Sequence, residues 1–281
     1  MLRAQLKIAD SATRVPIRVE PSFESVGIGN ATAFFYQLDG GTWLITNWHV
    51  VTGRDPSTRK ILNQNVRAAI PDSLKLHYPV NVPREGVSFT GWASFVLSLY
   101  EDEDHDIPKY VVHPLLRESV DIVAIQISGI EQTFVLPANA SQFELENLQL
   151  RPTLDAFVLG YPLGMFGGAN FPVWKRGSIA SEPDFDINGL PYFLIDTSTR
   201  EGMSGSPVYV QESGLWMPVG VTDPAQQRIG TGRTFAGIYS GRIGAKDEFK
   251  VQLGLVWKAR ALEETIRGNV VGDSSFRLSV A

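Results

Sequence analysis

Hydrophobic positions in this chain fall mostly in short runs bounded by Gly, Pro, Asn or Asp, the pattern of strands rather than helices. Ala33-Phe34-Phe35-Tyr36-Gln37-Leu38 and Thr42-Trp43-Leu44-Ile45-Thr46 flank Asp39-Gly40-Gly41, which predicts a β-hairpin. A further strand is expected over 121–127, closed by Ser128-Gly129. Beyond Pro152 the pattern predicts strands over 156–162, 173–180, 192–196, 207–210, 234–240 and 254–257. Residues 258–267 alone carry a good helical repeat, through Ala259, Leu262, Glu263 and Ile266, with Gly268 as its stop. An all-β protein of two packed β-barrels with a C-terminal helix fits this pattern. The division expected is an N-terminal extension (1–24), a first barrel (25–150), a second barrel with the helix (151–267) and a tail (268–281). Between about 53 and 114 the pattern is poor, and this segment is read as a long insertion in the first barrel.

At 281 residues and 43% hydrophobic, the chain can bury a sizeable core, which excludes wholesale disorder. A net charge of −5 with no run of Lys or Arg argues against nucleic acid as a partner. With no cysteine, no disulfide can staple the fold. The first ten residues hold no signal-like apolar core, and no apolar run is long enough to span a bilayer. A cytoplasmic protein with no membrane contact is therefore expected. The acidic run over 101–106 lacks the glycine and distal glutamate of a calcium-binding loop and is read as solvated. His77, His105 and His113 have no ligand partners at useful spacing, so neither metal nor other cofactor is expected.

The chemistry is carried by three separated motifs. Thr46-Asn47-Trp48-His49-Val50-Val51 supplies a histidine, Asp121-Ile122-Val123-Ala124-Ile125 an aspartate, and Gly202-Met203-Ser204-Gly205-Ser206-Pro207 a glycine-flanked serine. A serine hydroxyl is a weak nucleophile near neutral pH and needs a base to take its proton; imidazole suits that role. A buried carboxylate then fixes the ring's tautomer and stabilises the imidazolium. His49, Asp121 and Ser204 are the candidates, and the N–H groups of Gly202 and Ser204 are the candidate oxyanion donors. Each motif alone reads as a packed histidine, a strand cap or a turn; their joint occurrence in this order points to catalysis. An α/β-hydrolase site would need Gly-x-Ser-x-Gly and the order Ser, Asp, His, and this chain has neither.

These three motifs together resemble those of a trypsin-like serine peptidase of the chymotrypsin fold, in the cysteine-free bacterial branch similar to the HtrA (Deg) proteases. Leu159-Gly160-Tyr161-Pro162-Leu163-Gly164 resembles a further turn of that branch, and the similarity spans roughly residues 25 to 267. The resemblance implies two six-stranded antiparallel barrels and serine endopeptidase activity on a peptide or protein substrate, without a cofactor. It also implies that Ser240 hydrogen-bonds the aspartate, that residues 237–242 form an edge strand for the substrate backbone, and that Ser198, Thr199 and Gly254 line the specificity pocket. No aspartate stands at that pocket's base, so cleavage after Lys or Arg is not favoured. Arg242, beside Gly241, departs from the small residues usual there. Its guanidinium has three readings: it recognises an acidic side chain, narrows the cleft, or points to solvent.

Three other departures bear on function. Met203 precedes the serine where zymogens of the secreted branch carry an aspartate, and no Ile-Val-Gly-Gly start is present, so activation by N-terminal trimming is not expected. The residues after Gly268 are too few for a PDZ domain, so substrate recruitment is expected from the protease domain, from the 53–114 insertion, which is also a candidate docking surface for a regulatory protein, or from another protein. Trp48 stands where a small residue commonly precedes the histidine. The competing reading is a gated or catalytically silent protease-fold module that binds peptides or a protein partner through the same cleft.

Overall fold

The computed structural model describes residues 8–63, 70–84, 87–128, 135–143, 145–146, 148–198, 200–242 and 253–278. Strands β1 (Pro16–Phe23) and β2 (Val26–Gly27) pair with each other, and β3 (Ala31–Leu38) turns into β4 (Gly41–Thr46) where the sequence predicts a hairpin. Leu38 pairs with Gly41, so Asp39 and Gly40 make the turn, with φ of 50° and 78°. Left-handed backbone at both turn positions matches the twist of the flanking strands.

Helix α1 (Trp48–Thr52) follows at once and carries His49. The β-branched Val50 and Val51 favour continued strand, yet burial of Trp48, Val50 and Val51 against the first core overrides that local preference. Gly53, left-handed at φ 66°, ends the helix by donating its N–H to the His49 carbonyl.

The poorly patterned segment 53–114 holds regular structure. It contains β5 (Ser73–Arg84) and β6 (Val87–Ser98), a long hairpin that joins the sheet by pairing β5 with β1, and it ends in β7 (Tyr110–Val112). Leu74 and Leu76 alternate into the core, which fixes the register of β5. β8 (Val123–Gln126) pairs with β4 and β7.

The second half contributes β9 (Asp155–Gly160), β10 (Val173–Ile179), β11 (Tyr192–Asp196), β12 (Pro207–Trp216), β13 (Arg228–Arg242) and β14 (Leu253–Lys258). These six close into a barrel in the order β10-β11-β14-β13-β12-β9. α2 (Ala259–Gly268) buries Ala261, Leu262, Thr265 and Ile266. That face is turned from the predicted one: Glu263 sits at its rim, where its carboxylate accepts the Tyr36 hydroxyl at 2.9 Å. β15 (Val270–Val271) then returns to β7. The first sheet thus has nine strands rather than six, in the path β15-β7-β8-β4-β3-β1-β5-β6 with β2 on β1.

β3 is buried on both faces. Ala33 and Phe35 point into the first sheet's own core, whereas Phe34 and Tyr36 meet the second barrel. There Phe235 packs against Phe34, Tyr36 and Tyr209 with ring centroids 5.6, 5.5 and 5.8 Å apart. Aromatic pairs in such geometry add roughly 0.5–1.5 kcal/mol each beyond the area they bury. This seam sets the His49- and Asp121-bearing half against the Ser204-bearing half. Among the described residues, no helix is long and apolar enough to cross a membrane.

The C-terminal segment straps the histidine helix to the first sheet. Ser275 donates its hydroxyl to the Thr52 carbonyl at 2.7 Å. Its own carbonyl and hydroxyl receive the buried guanidinium of Arg54, at 2.8 Å from Nη2 and 2.9 Å from Nε. A third contact runs from Arg54 Nη1 to the Arg59 carbonyl at 3.0 Å. Arg54→Ala would leave the Ser275 carbonyl unpaired in the interior and open a cavity. The expected cost is about 2–4 kcal/mol, read as a lower urea midpoint at unchanged slope. An unchanged midpoint would show that the strap carries no stability.

Candidate active site

Asp121 lies just before β8 and is 1% exposed. A carboxylate so buried needs its oxygens satisfied. Its Oδ2 accepts the His49 Nδ1 proton at 2.7 Å and the Ser240 hydroxyl, and its Oδ1 accepts the His49 backbone N–H at 2.9 Å. Asn47, fully buried ahead of α1, donates Nδ2 to the Asp121 carbonyl at 2.7 Å. With Nδ1 bonded to a carboxylate, the neutral His49 ring carries its proton there and keeps Nε2 as the basic nitrogen. Burial pushes the imidazole down, but the charge and hydrogen bond of Asp121, with Asp55 adding to them, outweigh it. His49 therefore titrates above its ordinary value.

Ser204 sits in a loop held from both sides. Thr32 of β3 donates its N–H to the Ser204 carbonyl at 2.8 Å and its hydroxyl to the Gly202 carbonyl, also at 2.8 Å. The preceding carbonyl, that of Glu201, accepts the Leu163 N–H at 2.6 Å. A trans peptide directs its C=O and the following N–H oppositely, so the Gly202 N–H points away from Leu163. Neither that N–H nor the Ser204 N–H is bonded among the described residues. Gly202 has φ 92°, and a Cβ there would lie 2.3 Å from the Tyr161 carbonyl oxygen. Gly205 has φ 83°, and its Cβ would lie 1.9 Å from the Thr32 carbonyl oxygen. Only glycine fits at either position. His49, Gly202 and Ser204 line one cleft of about 450 Å³.

The family model described as the trypsin-like peptidase domain matches residues 31–220, a stretch that includes all three motifs. The chain belongs to the trypsin-like peptidase family. The chain is also similar to solved structures of distant sequence. The active form of the Rv3671c protease from M. tuberculosis is 16% identical, with 94% of this chain and 84% of that one covered and a TM-score of 0.43. For the serine endoprotease from Yersinia pestis the values are 12%, 92%, 65% and 0.46. For the thermostable serine protease AL20 from an extremophilic microorganism they are 10%, 92%, 99% and 0.48. A comparison with curated protein sequences finds no match.

In this trypsin-like peptidase the residues expected to contact substrate are spread over three places. Ser240 and Gly241 occupy a break in the β13–β14 register, with Gly241 at φ 89°. The edge strand expected over 237–242 narrows to its last three residues. Gly237 and Ile238 pair with β12 on one side and β14 on the other, and Tyr239 pairs with β14 and donates its N–H to the Ser206 carbonyl. Ser198 is exposed just beyond β11. Thr199 lies outside the described residues, and so does the side chain of Arg242, whose backbone pairs with Gly254. Gly254 is buried, and a Cβ on it would lie 2.5 Å from the Tyr239 ring, so that ring fills the space in front of it.

Thr32, Asn47 and Tyr239 are site-shaping residues that sequence reasoning missed. For Asn47 a signal was available, since an amide directly before the histidine helix is placed to bond whatever holds the histidine. Thr32 and Tyr239 gave none, because each acts on residues distant in sequence.

Proposed function

We propose that this chain is a serine endopeptidase in which Ser204 is the nucleophile, His49 the general base and then acid, and Asp121 the group that orients the ring. The observation that carries the reading is the 2.7 Å contact from His49 Nδ1 to buried Asp121, with His49 and Ser204 on one cleft. Ser204 Oγ attacks the scissile carbonyl while its proton passes to His49 Nε2, and the carboxylate stabilises the imidazolium that results. The oxyanion of the tetrahedral intermediate is received by the N–H groups of Gly202 and Ser204. Leu163 and Thr32 support this by holding the carbonyls on either side of Gly202, so the donors are oriented without a trigger. Collapse expels the amine with the proton returned from His49, and water repeats the cycle on the acyl-enzyme. Residues 240–242 are the proposed pairing edge for the substrate backbone on the acyl side, with Ser198, Thr199 and Gly254 near its specificity pocket.

A fluorophosphonate probe tests this, because it forms its bond to Oγ only where the hydroxyl is activated. Wild type is expected to be labelled and Ser204→Ala to remain blank. A folded wild type that stays unlabelled would defeat the proposal in favour of a gated or silent cleft. Labelling that survives in Ser204→Ala would place the nucleophile elsewhere.

A further inference from the structure

The two sheets differ in how they end. The second closes into a barrel, whereas the path of the first ends in β15, two residues long, and β6, twelve residues long. β6 cannot close that sheet onto β7, because β7 already has β8 on one side and β15 on the other. Among the described residues β6 pairs with β5 alone.

A long free edge is a template for another strand, and proteins usually blunt it with charge, proline, a bulge or shortness. β6 uses none of these. Val87 to Ser98 include no charged residue and no proline, and the register with β5 is unbroken. Leu99, one step past the strand, donates its N–H toward the β5 side, to the Asp72 carbonyl. Alternation then aims the N–H and C=O groups of Trp92, Ser94 and Val96 outward. Apolar side chains accompany them. Phe95 is 49% exposed although its cross-strand neighbour Leu76 lies in the first core, and Val96 is 61% exposed on the other face.

We propose that β6 pairs antiparallel with β6 of a second copy of this chain, about a two-fold axis through Ser94, joining two open sheets into one. Charge selects a copy as the occupant. Each chain carries a net −5, yet β6 contributes nothing to it, so self-pairing sets no like charges opposite one another. Shape selects it as well. With Ser94 opposite the partner's Ser94, Phe95 falls opposite the partner's Ala93 and Leu97 opposite the partner's Gly91. Large residues thus meet small ones on the core face, and Phe95 gains its missing cover. On the other face Val96 meets the partner's Trp92, a β-branched and aromatic pair of the kind that stabilises sheets. One two-fold contact satisfies both free edges at once.

Sedimentation of the wild-type chain is expected to show a dimer. Ser94→Pro removes the outward N–H at the axis and puts a ring into the new ladder, whereas a lone edge strand tolerates proline where its N–H faces solvent. It is expected to raise the dimer Kd by about tenfold or more with its circular-dichroism spectrum retained. The chain has no cysteine, so Ser94→Cys introduces a single thiol. Hydrogen-bonded antiparallel neighbours lie about 5.5 Å apart at Cα, within a disulfide's span. Mild oxidation is expected to link two copies at least about tenfold faster than in Ser213→Cys, whose site on β12 is also exposed. A wild type that stays monomeric to about 100 µM overturns the proposal, even if β6 then takes a foreign strand. A dimer with unchanged Kd in folded Ser94→Pro overturns it too, as does cross-linking no faster than the control. If Ser94→Pro fails to fold, the cross-linking rates decide.

Discussion

Ser204→Ala and His49→Ala are each expected to lower kcat by about 10⁶-fold, and the double variant is expected to fall no further. In the proposed mechanism the two side chains perform one proton-coupled attack. Once the hydroxyl is gone the base has no proton to take, and once the base is gone the hydroxyl reverts to a poor nucleophile. Their losses therefore cannot add. In that mechanism the residual rate belongs to the N–H groups of Gly202 and Ser204, which both substitutions leave in place because they are backbone. Neither change should disturb the fold. Ser204 is held through its carbonyl by Thr32, and the His49 backbone N–H keeps its bond to Asp121. The measurement is kcat on a cleaved peptide for all three variants, beside their unfolding midpoints. Losses that multiply in the double variant, or a His49→Ala enzyme within tenfold of wild type, would refute a shared step.

How much of this was legible before any coordinates depends on the distance over which each feature is determined. The turn at Asp39-Gly40 is settled by two residues whose backbone tolerates positive φ, and it stands where expected. The helix after β14 follows from its periodicity, although its buried face is set by packing against the aromatic seam, so Thr265 rather than Glu263 faces inward. β5 and β6 escaped notice because Pro79, Pro83 and Gly91 interrupt them, residues that usually argue against strands. They persist as a two-stranded arm anchored through β1. The short helix at His49 runs against the strand preference of its valines and is stabilised by tertiary burial. Thr32 is the clearest case of information absent from local sequence. Its hydroxyl matters through the carbonyl of Gly202, 170 residues away. The serine motif shows that Gly202 and Gly205 need room, but not that the Tyr161 carbonyl fills it at Gly202 and the Thr32 carbonyl, on another sheet, at Gly205.

Asp121→Asn is expected to cost about 10⁴-fold in kcat through the wrong tautomer of an otherwise intact ring. The His49 backbone N–H already requires an acceptor at the Oδ1 position. An asparagine satisfying it must turn its NH₂ toward His49 Nδ1 and the Ser240 hydroxyl, where Oδ2 now accepts from both. The amide then donates to Nδ1, the ring proton moves to Nε2, and the ring presents a hydrogen to Ser204 where a lone pair is needed. The pH profile separates this from simple misfolding. Since base catalysis needs neutral His49, kcat/KM in wild type should rise with pH through the His49 pKa, which Asp121 holds above the ordinary value of about 6.5. Removing the carboxylate's charge leaves burial as the main influence, and burial favours the uncharged ring. The acid limb of the slow variant should therefore move to lower pH, while its unfolding midpoint shows a folded enzyme. A folded Asp121→Asn enzyme with kcat within tenfold of wild type and an unmoved acid limb would mean that Asp121 anchors the loop without governing the histidine. Ser204 would then need another source for its activation.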